Sequence, residues 1–314
     1  MKYLISCVVI LFLFITSLFI GVKELTLQNI LINGNNEQST LIISRLPRTL
    51  ALTLTGIGLS VAGFVMQQLV QNKFVSPSTI GTIEASKFGI LISILLFPTY
   101  GLIAKTTISF IVTAFFSILF IVLVQRIKNK NIIFVPLLGI MFGYIINAFA
   151  TYFAFKNNIV QNMTGWLIGD FSNILQGNYE SLYFIVPAIA ILYYYANEFV
   201  VLGMGESYAK NLGLNYQQVL LIGLICVSLT VSIIVVNVGA IPFVGLVVPN
   251  IVSMLYGDNL KRVLPLSAIF GAIFLLSADI VGRWIIFPYE LPIGLTIGVI
   301  GGIFFFVILL KRKN

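Results

Sequence analysis

The sequence lacks histidine altogether and is poor in charged residues. Of its 314 residues, 9% are charged, whereas a soluble domain typically carries about 25%. Without histidine, the chain excludes His-ligated metal sites and the histidine-based catalytic triads. Its two cysteines, Cys7 and Cys226, lie inside apolar runs, where we expect them to pack without forming a disulfide. We therefore predict no metal site and no cofactor.

Motifs for nucleotide hydrolysis are also missing from the sequence. It contains no GxxxxGK[ST] pattern, which forms the phosphate-binding loop of many ATPases, and no cluster of side chains that would make a catalytic set. We predict that the chain is not an enzyme. If ATP drives its activity, the ATPase is a separate chain.

Long apolar segments dominate what is present. The chain is 59% hydrophobic, with a mean hydropathy of +1.06, and about 20 apolar residues in a helix cross a bilayer core about 30 Å thick. The sequence predicts an all-α polytopic membrane protein, built as a single transmembrane domain over residues 1–314. About ten spans are expected, and they are Leu4–Val22, Leu46–Val70, Phe88–Ile103, Thr106–Val124, Ile132–Phe155, Leu182–Val201, Val219–Val236, Ile241–Tyr256, Val263–Phe287 and Ile293–Leu310.

The distribution of basic residues predicts the orientation of these spans. An even number of spans places both termini on one side of the membrane. If that side is cytoplasmic, twelve of the eighteen lysines and arginines lie inside and six lie outside, in agreement with the positive-inside rule. We therefore expect cytoplasmic N- and C-termini in the cell membrane. This bias explains the net charge of +8 without any nucleic-acid partner.

Arg45, Arg48 and Arg283 oppose that bias, because all three fall near the outer ends of predicted spans. Arg45 and Arg48 flank Pro47 at the start of the second span and share one face if the turn is helical. Arg283 follows Asp279 by four residues, which is the spacing of a helical ion pair. Two interpretations stay open. The arginines are headgroup anchors and a self-neutralising pair, or they dock acidic residues of an external partner.

The connection formed by residues 202–216 is the most informative one on the inner side. Within it, the sequence predicts a short helix from Glu206 to Leu212, with Gly205 at its start and Gly213 in a left-handed C-terminal cap. An ordinary amphipathic loop helix would give the same pattern.

Small residues and prolines mark three further spans. Pro242 and Pro249 predict that the eighth span is broken or kinked. Glycines at four-residue spacing predict close helix packing. They are Gly139 and Gly143 in the fifth span and Gly294, Gly298 and Gly302 in the tenth.

In combination, these segments resemble the permease subunits of iron-siderophore and vitamin B12 ABC importers, the FecCD family. The resemblance runs from Arg45 to Leu310. The block 239–250 is similar to the family pattern Gly-x-Ile-x-Phe-Val-Gly-Leu-x-x-Pro-His, except that Asn250 stands in place of the histidine. The inner connection is similar to the coupling-loop pattern Gly-Glu-x-x-Ala-x-x-Leu-Gly. The residues that match it are Gly205, Glu206, Ala209, Leu212 and Gly213.

The resemblance implies the fold of a type II ABC importer permease and a role for each segment. Arg45, Arg48 and Arg283 would dock an external substrate-binding protein, and the five matching residues of the inner loop would couple the chain to the ATPase. The fifth and tenth spans would face a partner permease and the translocation path. The residues that we predict to line the path are Tyr144, Asn147, Thr151 and Tyr152.

The predicted function is therefore that of the membrane permease of an importer for a ferric siderophore. The expected partners are a second permease in a homo- or heterodimer, two ATP-binding subunits, an extracytoplasmic substrate-binding lipoprotein and the membrane lipid. Cobalamin and haem are alternative substrates within the family.

An ion-coupled secondary transporter is the alternative from another class. Such carriers keep ionisable groups inside the membrane, whereas the predicted spans hold almost no carboxylates beyond Asp279. The same scarcity of metal ligands favours a chelated metal ion over a bare one as the substrate.

Overall fold

The computed structural model describes residues 2–21, 40–99, 101–127, 134–165, 168–257 and 260–311. Regular structure in these residues is entirely helical. A π-helical turn (Leu41–Arg45) and two 3-10 turns (Pro77–Thr79 and Glu180–Phe184) accompany the α-helices. The α-helices are α1 (Lys2–Phe19), α2 (Leu46–Leu69), α3 (Thr82–Leu96), α4 (Leu102–Gln125), α5 (Phe134–Lys156), α6 (Val160–Gly165), α7 (Ile185–Tyr194), α8 (Ala196–Gly203), α9 (Glu206–Asn211), α10 (Tyr216–Val238), α11 (Val244–Tyr256), α12 (Leu260–Ile285) and α13 (Ile293–Lys311).

Nine of the ten predicted spans fall on a helix or on a bent pair of helices, and the all-α polytopic architecture is confirmed. The third, Phe88–Ile103, is placed too late in the chain, because α3 ends at Leu96 and α4 already begins at Leu102. By length and composition, five helical segments of the described residues can cross a membrane alone, or six if the bent pair α7–α8 is one span. Three other predicted spans fall on shorter apolar helices within α1, α11 and α13, and the third predicted span falls on α3 only as far as Leu96. Among the described residues, fewer helices than the ten expected spans are therefore long enough to cross the membrane alone. The five long segments are Leu41–Leu69, Leu102–Gln125, Phe134–Lys156, Tyr216–Val238 and Val263–Ile285.

The sixth and eighth predicted spans are interrupted. α7 and α8 meet at Tyr195 with a bend of 60°. In the eighth, Pro242 precedes α11 and Pro249 lies inside it, where proline removes one backbone hydrogen bond. Phe243 begins α11 with a φ of +65°. The break that the two prolines predict is therefore present as a turn followed by a short helix.

α3 begins at Thr82, before the predicted start of the third span at Phe88. The cause is local. The 3-10 turn (Pro77–Thr79) is closed by a reciprocal capping box, and Gly81 then adopts a left-handed conformation with a φ of +81°. Glycine takes this conformation without steric cost, and the chain enters α3 directly after it.

The early start of α3 corrects two expectations. Glu84 and Lys87 now lie within a helix of the bundle, and only 4% of Lys87 is exposed. Lys87 is one of the twelve basic residues that the orientation count places in inner connections, and the structure instead places it in a helix. Glu84 joins Asp279 as a second carboxylate within the helices of the bundle. The sequence pattern fails here because the apolar run begins six residues, or more than one and a half turns, after the helix does.

α2 is the central helix of the fold and packs against α10, α11 and α12. Its close approach depends on glycine. A Cβ on Gly63 would overlap the carbonyl oxygen of Gly245 in α11, and one on Gly56 would overlap that of Gly271 in α12. Small residues at such contacts let membrane helices approach closely. This packing holds the start of α2 beside the last turns of α12, where the first candidate site lies.

Candidate functional site

The three arginines predicted to dock a partner converge where α1 ends, α2 begins and α12 ends. Arg45 closes the π-helical turn, and Pro47 follows in the first turn of α2. Proline is tolerated there because the first amides of a helix have no intrahelical acceptor. The helical path from Arg45 to Arg48 is therefore unbroken, and Arg48 reaches across to α12.

Asp279 of α12 lies between two guanidinium groups. Its Oδ1 accepts a hydrogen bond from Arg48 Nη2 at 2.8 Å, and its Oδ2 accepts one from Arg283 Nη2. Arg48 Nη1 also donates to Glu290 Oε2 at 2.5 Å. Asp279 and Arg283 are 3% and 4% exposed. Charge-assisted hydrogen bonds of this kind are stronger than neutral ones, and burial shields them from water.

Two of the arginines also bind the C-terminal end of α1. Arg283 Nη1 donates to the carbonyl oxygens of Ser17 at 3.1 Å and Ile20 at 2.8 Å, and Arg45 Nη1 donates to that of Ile20 as well. Terminal carbonyls of a helix lack intrahelical donors and carry partial negative charge, so cations stabilise them. A side chain on Gly21 would overlap the Arg45 guanidinium, which explains the glycine at that position.

Arg45, Arg48, Asp279, Arg283 and Glu290 form what we name the arginine cluster, and its charges are largely satisfied within the chain. Arg45 is 8% exposed and the Arg48 side chain 11%, so neither stands open to water as its sequence position suggested. The self-neutralising pair of Asp279 and Arg283 is confirmed. Glu290, with 26% of its side chain exposed, is the accessible acid. Three guanidinium groups and two carboxylates leave a net positive charge at the cluster.

The predicted coupling segment forms α9, and its C-terminal cap agrees with the prediction. Gly213 has a φ of +78°. The Leu214 amide donates to the carbonyl oxygen of Ala209, and the Gly213 amide to that of Lys210, each at 3.0 Å. These two bonds define a Schellman motif. The helix ends one residue earlier than expected, with Leu212 as its cap.

The exposed surface of α9 combines an ion pair with apolar side chains. Gly205, with a φ of +112°, precedes the helix, and buried Ala209 attaches it to the rest of the chain. Glu206 and Lys210 pair at 2.8 Å on the exposed face. Large apolar side chains lie in water-accessible positions beside them. These are Met204, Tyr208 and Leu212.

The four predicted path residues lie on α5 in two different environments. Tyr144 and Tyr152 are 69% and 62% exposed, and Thr151 is exposed near them. Asn147 instead accepts a hydrogen bond from Lys87 Nζ at 2.7 Å, at the contact between α3 and α5. The structure thus places three of the four side chains on an open face and one against α3.

The glycines of α5 and α13 have different surroundings. Gly139 and Gly143 pack against residues 79–81. These two glycines therefore allow close packing within the chain, not with another subunit. At Gly298 and Gly302 of α13, a methyl side chain would meet no atom within 4 Å. Their face of α13 is open in the part of the chain that the structure describes.

Asn250, at the position of the family's usual histidine, is buried in α11. Its Nδ2 donates to the carbonyl oxygens of Leu246 at 2.7 Å and Lys73 at 2.8 Å. The second bond fixes α11 to the turn that follows α2. A neutral amide provides both hydrogens without any protonation step.

Glu84 and Glu290 are two candidate functional residues that the sequence patterns do not predict. Glu290 lies in the loop between α12 and α13, shortly after Arg283. An acid so close to arginines that lack an assigned partner is the signal that would have indicated it. The signal for Glu84 is the three-residue spacing to Lys87, which places the two charges on one face of a helix.

Comparison with known proteins finds relatives along nearly the whole chain. The model of the FecCD transport family matches residues 9–311. The petrobactin import system permease protein YclN of Bacillus subtilis (strain 168) is 46% identical over 306 residues, which cover 98% of this chain and 97% of the relative. The ferric-anguibactin transport system permease protein FatD of Vibrio anguillarum is 43% identical over 298 residues, which cover 94% of each chain.

A solved structure shares the fold. It belongs to a transporter described as an ABC transporter of metal-chelate type, in an inward-facing conformation. The TM-score is 0.82 at 25% identity, over 98% of this chain and 97% of that one. The chain has the permease fold of type II ABC importers, as predicted.

Replacing Asp279 with asparagine should destabilise the protein strongly. The substitution preserves the size of the side chain but leaves Arg48 and Arg283 buried without their shared carboxylate. Removing one partner of a buried ion pair typically costs about 3–5 kcal/mol. We expect a clear fall in the midpoint of thermal unfolding of the protein purified in detergent. Glu180→Gln, at an exposed acid, is the control. Equal midpoints for the two variants would contradict the assigned role of Asp279.

Proposed function

The chain belongs to the FecCD transport family, and we propose that it is the membrane-spanning permease subunit of an ABC importer that carries a ferric siderophore into the cell. The observation that carries the proposal is the full-length similarity to two permeases named for the siderophores petrobactin and anguibactin. In this role the chain forms one permease domain over residues 1–314, with both termini in the cytoplasm.

The partners follow from what the chain offers and what it lacks. Since the sequence has no phosphate-binding loop, the energy comes from two ATP-binding subunits on the cytoplasmic side. A second permease, identical or related, completes the translocation path. The open face of α13 at Gly298 and Gly302 and the exposed Tyr144 and Tyr152 of α5 are the surfaces available for that partner and for the path.

We assign docking of an external substrate-binding protein to the arginine cluster. Its net positive charge attracts acidic side chains, and complementary charges guide association and set the register of an interface. Arg48 is already held by Asp279 and Glu290. A docking carboxylate therefore competes with Glu290, the more exposed of the two acids, for the same guanidinium.

We assign contact with the ATPase to α9. Its exposed apolar side chains, which include Tyr208 and Leu212, suit a groove on another protein, because packing among the described residues leaves them open to water. The Schellman cap at Gly213 fixes the direction in which the chain returns to α10. A displacement of α9 by the ATPase would therefore move α10 as well, because no flexible linker separates the two helices.

The metal ion crosses the membrane as an intact chelate. Among the described residues, no group of three or more histidine, cysteine, aspartate or glutamate side chains is positioned to hold a metal ion. Iron and manganese in proteins are usually bound by such side chains. A path without them suits a substrate whose metal ion already has its ligands.

Replacing Glu290 with glutamine should tighten the complex with the binding protein. The change removes a competing carboxylate from Arg48 while keeping the shape of the side chain. Partly exposed ion pairs contribute about 0.2–1 kcal/mol, so we expect Kd to fall by up to about fivefold. The measurement is equilibrium binding of purified binding protein to the permease–ATPase complex, with Glu180→Gln as the control acid. Unchanged binding would show that the cluster is structural and does not dock the partner, and weaker binding would show that Glu290 does not compete with a carboxylate of the partner.

Replacing Gly213 with valine should uncouple ATP hydrolysis from uptake. A β-branched residue is strained at a φ of +78°, so the cap of α9 rearranges. We expect uptake to fall and hydrolysis to lose its response to substrate, while the Kd of the binding protein stays unchanged.

Gly257→Val is the matched control for this variant. Gly257 has a φ of +80° and, like Gly213, open space around it, but it follows α11. Equal effects of the two valines on coupling would mean that backbone strain, and not contact through α9, causes the defect.

Gallium(III) bound to the same siderophore should compete with the ferric complex. Gallium keeps the charge and shape of the chelate but has no redox chemistry. Free ferric or manganous ion should neither compete nor enter. The measurement is radiolabelled uptake in cells that have this system as their only importer of the class. Chelator-independent metal uptake that requires this chain would contradict the proposal, and selective loss of cobalamin or haem uptake on deletion would move the substrate to that ligand.

A further inference from the structure

A charged pair on α3 lies outside the arginine cluster and outside α9. Glu84 and Lys87 are one helical turn apart, and both lie at the contact with α5. Glu84 also lies on the wall of a cavity of about 420 Å³, which is within the size range of small-molecule sites. The other residues around that cavity include Ser78, Gly169, Ala240, Pro242 and Gly294.

The two charges differ in how they are satisfied. Lys87 is 4% exposed, and its Nζ donates to Asn147 Oδ1 at 2.7 Å. Glu84 Oε2 is also buried, but no hydrogen-bond donor reaches it in the described residues. This oxygen lies beside Gly143 of α5, where a methyl group would be 3.3 Å away. The glycine therefore leaves room for the carboxylate between the two helices.

A buried carboxylate without a hydrogen-bond donor destabilises the helix packing, so packing does not explain Glu84. Charged side chains within membrane helices are costly and usually mark substrate pathways or relays. A buried acceptor without a donor loses the hydrogen bonds that it made to water. Lys87 offsets the charge of Glu84 from the same helix face but does not supply the missing donor.

We propose that Glu84 is a specificity-determining residue on the wall of the translocation path, and that its carboxylate accepts hydrogen bonds from ammonium, amide or hydroxyl groups of the organic frame of the chelate. The inference rests on the proposed function. In this role the Glu84 side chain, which already lines the cavity, turns its unpartnered oxygen toward the chelate. The carboxylate does not enter the coordination sphere of the iron, whose ligands the chelator supplies. Lys87, held by Asn147, is a positioning residue that keeps the site neutral.

The test uses two synthetic ferric bis-catecholate chelates in cells that carry this importer with its binding protein and ATPase. One chelate has a protonated secondary amine in its linker, and the other has the same amine acetylated. For Glu84→Gln we expect the KM of the amine chelate to rise about tenfold or more, because hydrogen bonds between charged groups are strong. The KM of the acetylated chelate should stay within about twofold. The binding protein is the same in all strains, so a change in preference reports on the permease.

Two further variants separate this role from a structural one. Glu198→Gln is the matched control, because Glu198 Oε2 is likewise buried without a partner among the described residues but lies in α8, away from the cavity. The double variant Glu84→Gln with Lys87→Gln restores charge balance and should keep the lost preference even if the single variant folds poorly. Immunoblots of membranes give the amount of each variant.

The outcomes are distinct. Loss of preference for the amine chelate, at normal membrane abundance, supports the inference. Equal changes for both chelates, or no change, would overturn it and leave Glu84 as a packing residue. If the wild type carries no ferric siderophore in the gallium competition assay, the ferric-chelate function itself fails. If it passes that assay but carries the two synthetic chelates equally, only the inference about Glu84 fails.

Discussion

The carboxylate of Asp279, shared by Arg48 and Arg283, is the interaction on which this end of the helix bundle depends. Through its two partners it joins α2 to α12, and through Arg283 it reaches the last carbonyls of α1. Buried cations are costly unless they are paired, so the three helix ends must meet at this point. The glycine contacts between α2 and α12 bring the ends close enough for the pair to form.

If the predicted orientation holds, the cluster keeps three cations at a surface that the positive-inside rule leaves poor in them. Its arginines form hydrogen bonds and ion pairs within the chain, and Glu290 is the most exposed acid among their partners. An acidic partner would then exchange one carboxylate for another and would not need to order free side chains. Such an exchange favours specificity and reversible contact over high affinity, as a delivery cycle requires. On the opposite face of the predicted topology, α9 is fixed by its cap and not by buried charge.

Local features were predictable from the sequence, and long-range pairings were not. Gly213 was placed correctly because a left-handed cap is encoded by one glycine and its neighbours. The long apolar helices are predictable because lipid imposes their length, whereas the shorter ones have less sharply defined bounds. The partners of Arg48 lie 231 and 242 positions away, and no local pattern connects them. The start of α3 was missed because Gly81, not the first apolar residue, sets it.

Measuring which energy source drives uptake tests most directly whether the chain is an ABC permease. The alternative, an ion-coupled secondary transporter, needs no ATP-binding subunits. The chain would be purified and reconstituted in vesicles, with or without its ATP-binding subunits, and supplied with the binding protein and a radiolabelled ferric siderophore. An ABC permease predicts uptake only when the ATP-binding subunits, ATP and the binding protein are all present, with no uptake from a proton or sodium gradient alone. Gradient-driven uptake by the chain without the ATP-binding subunits would contradict it.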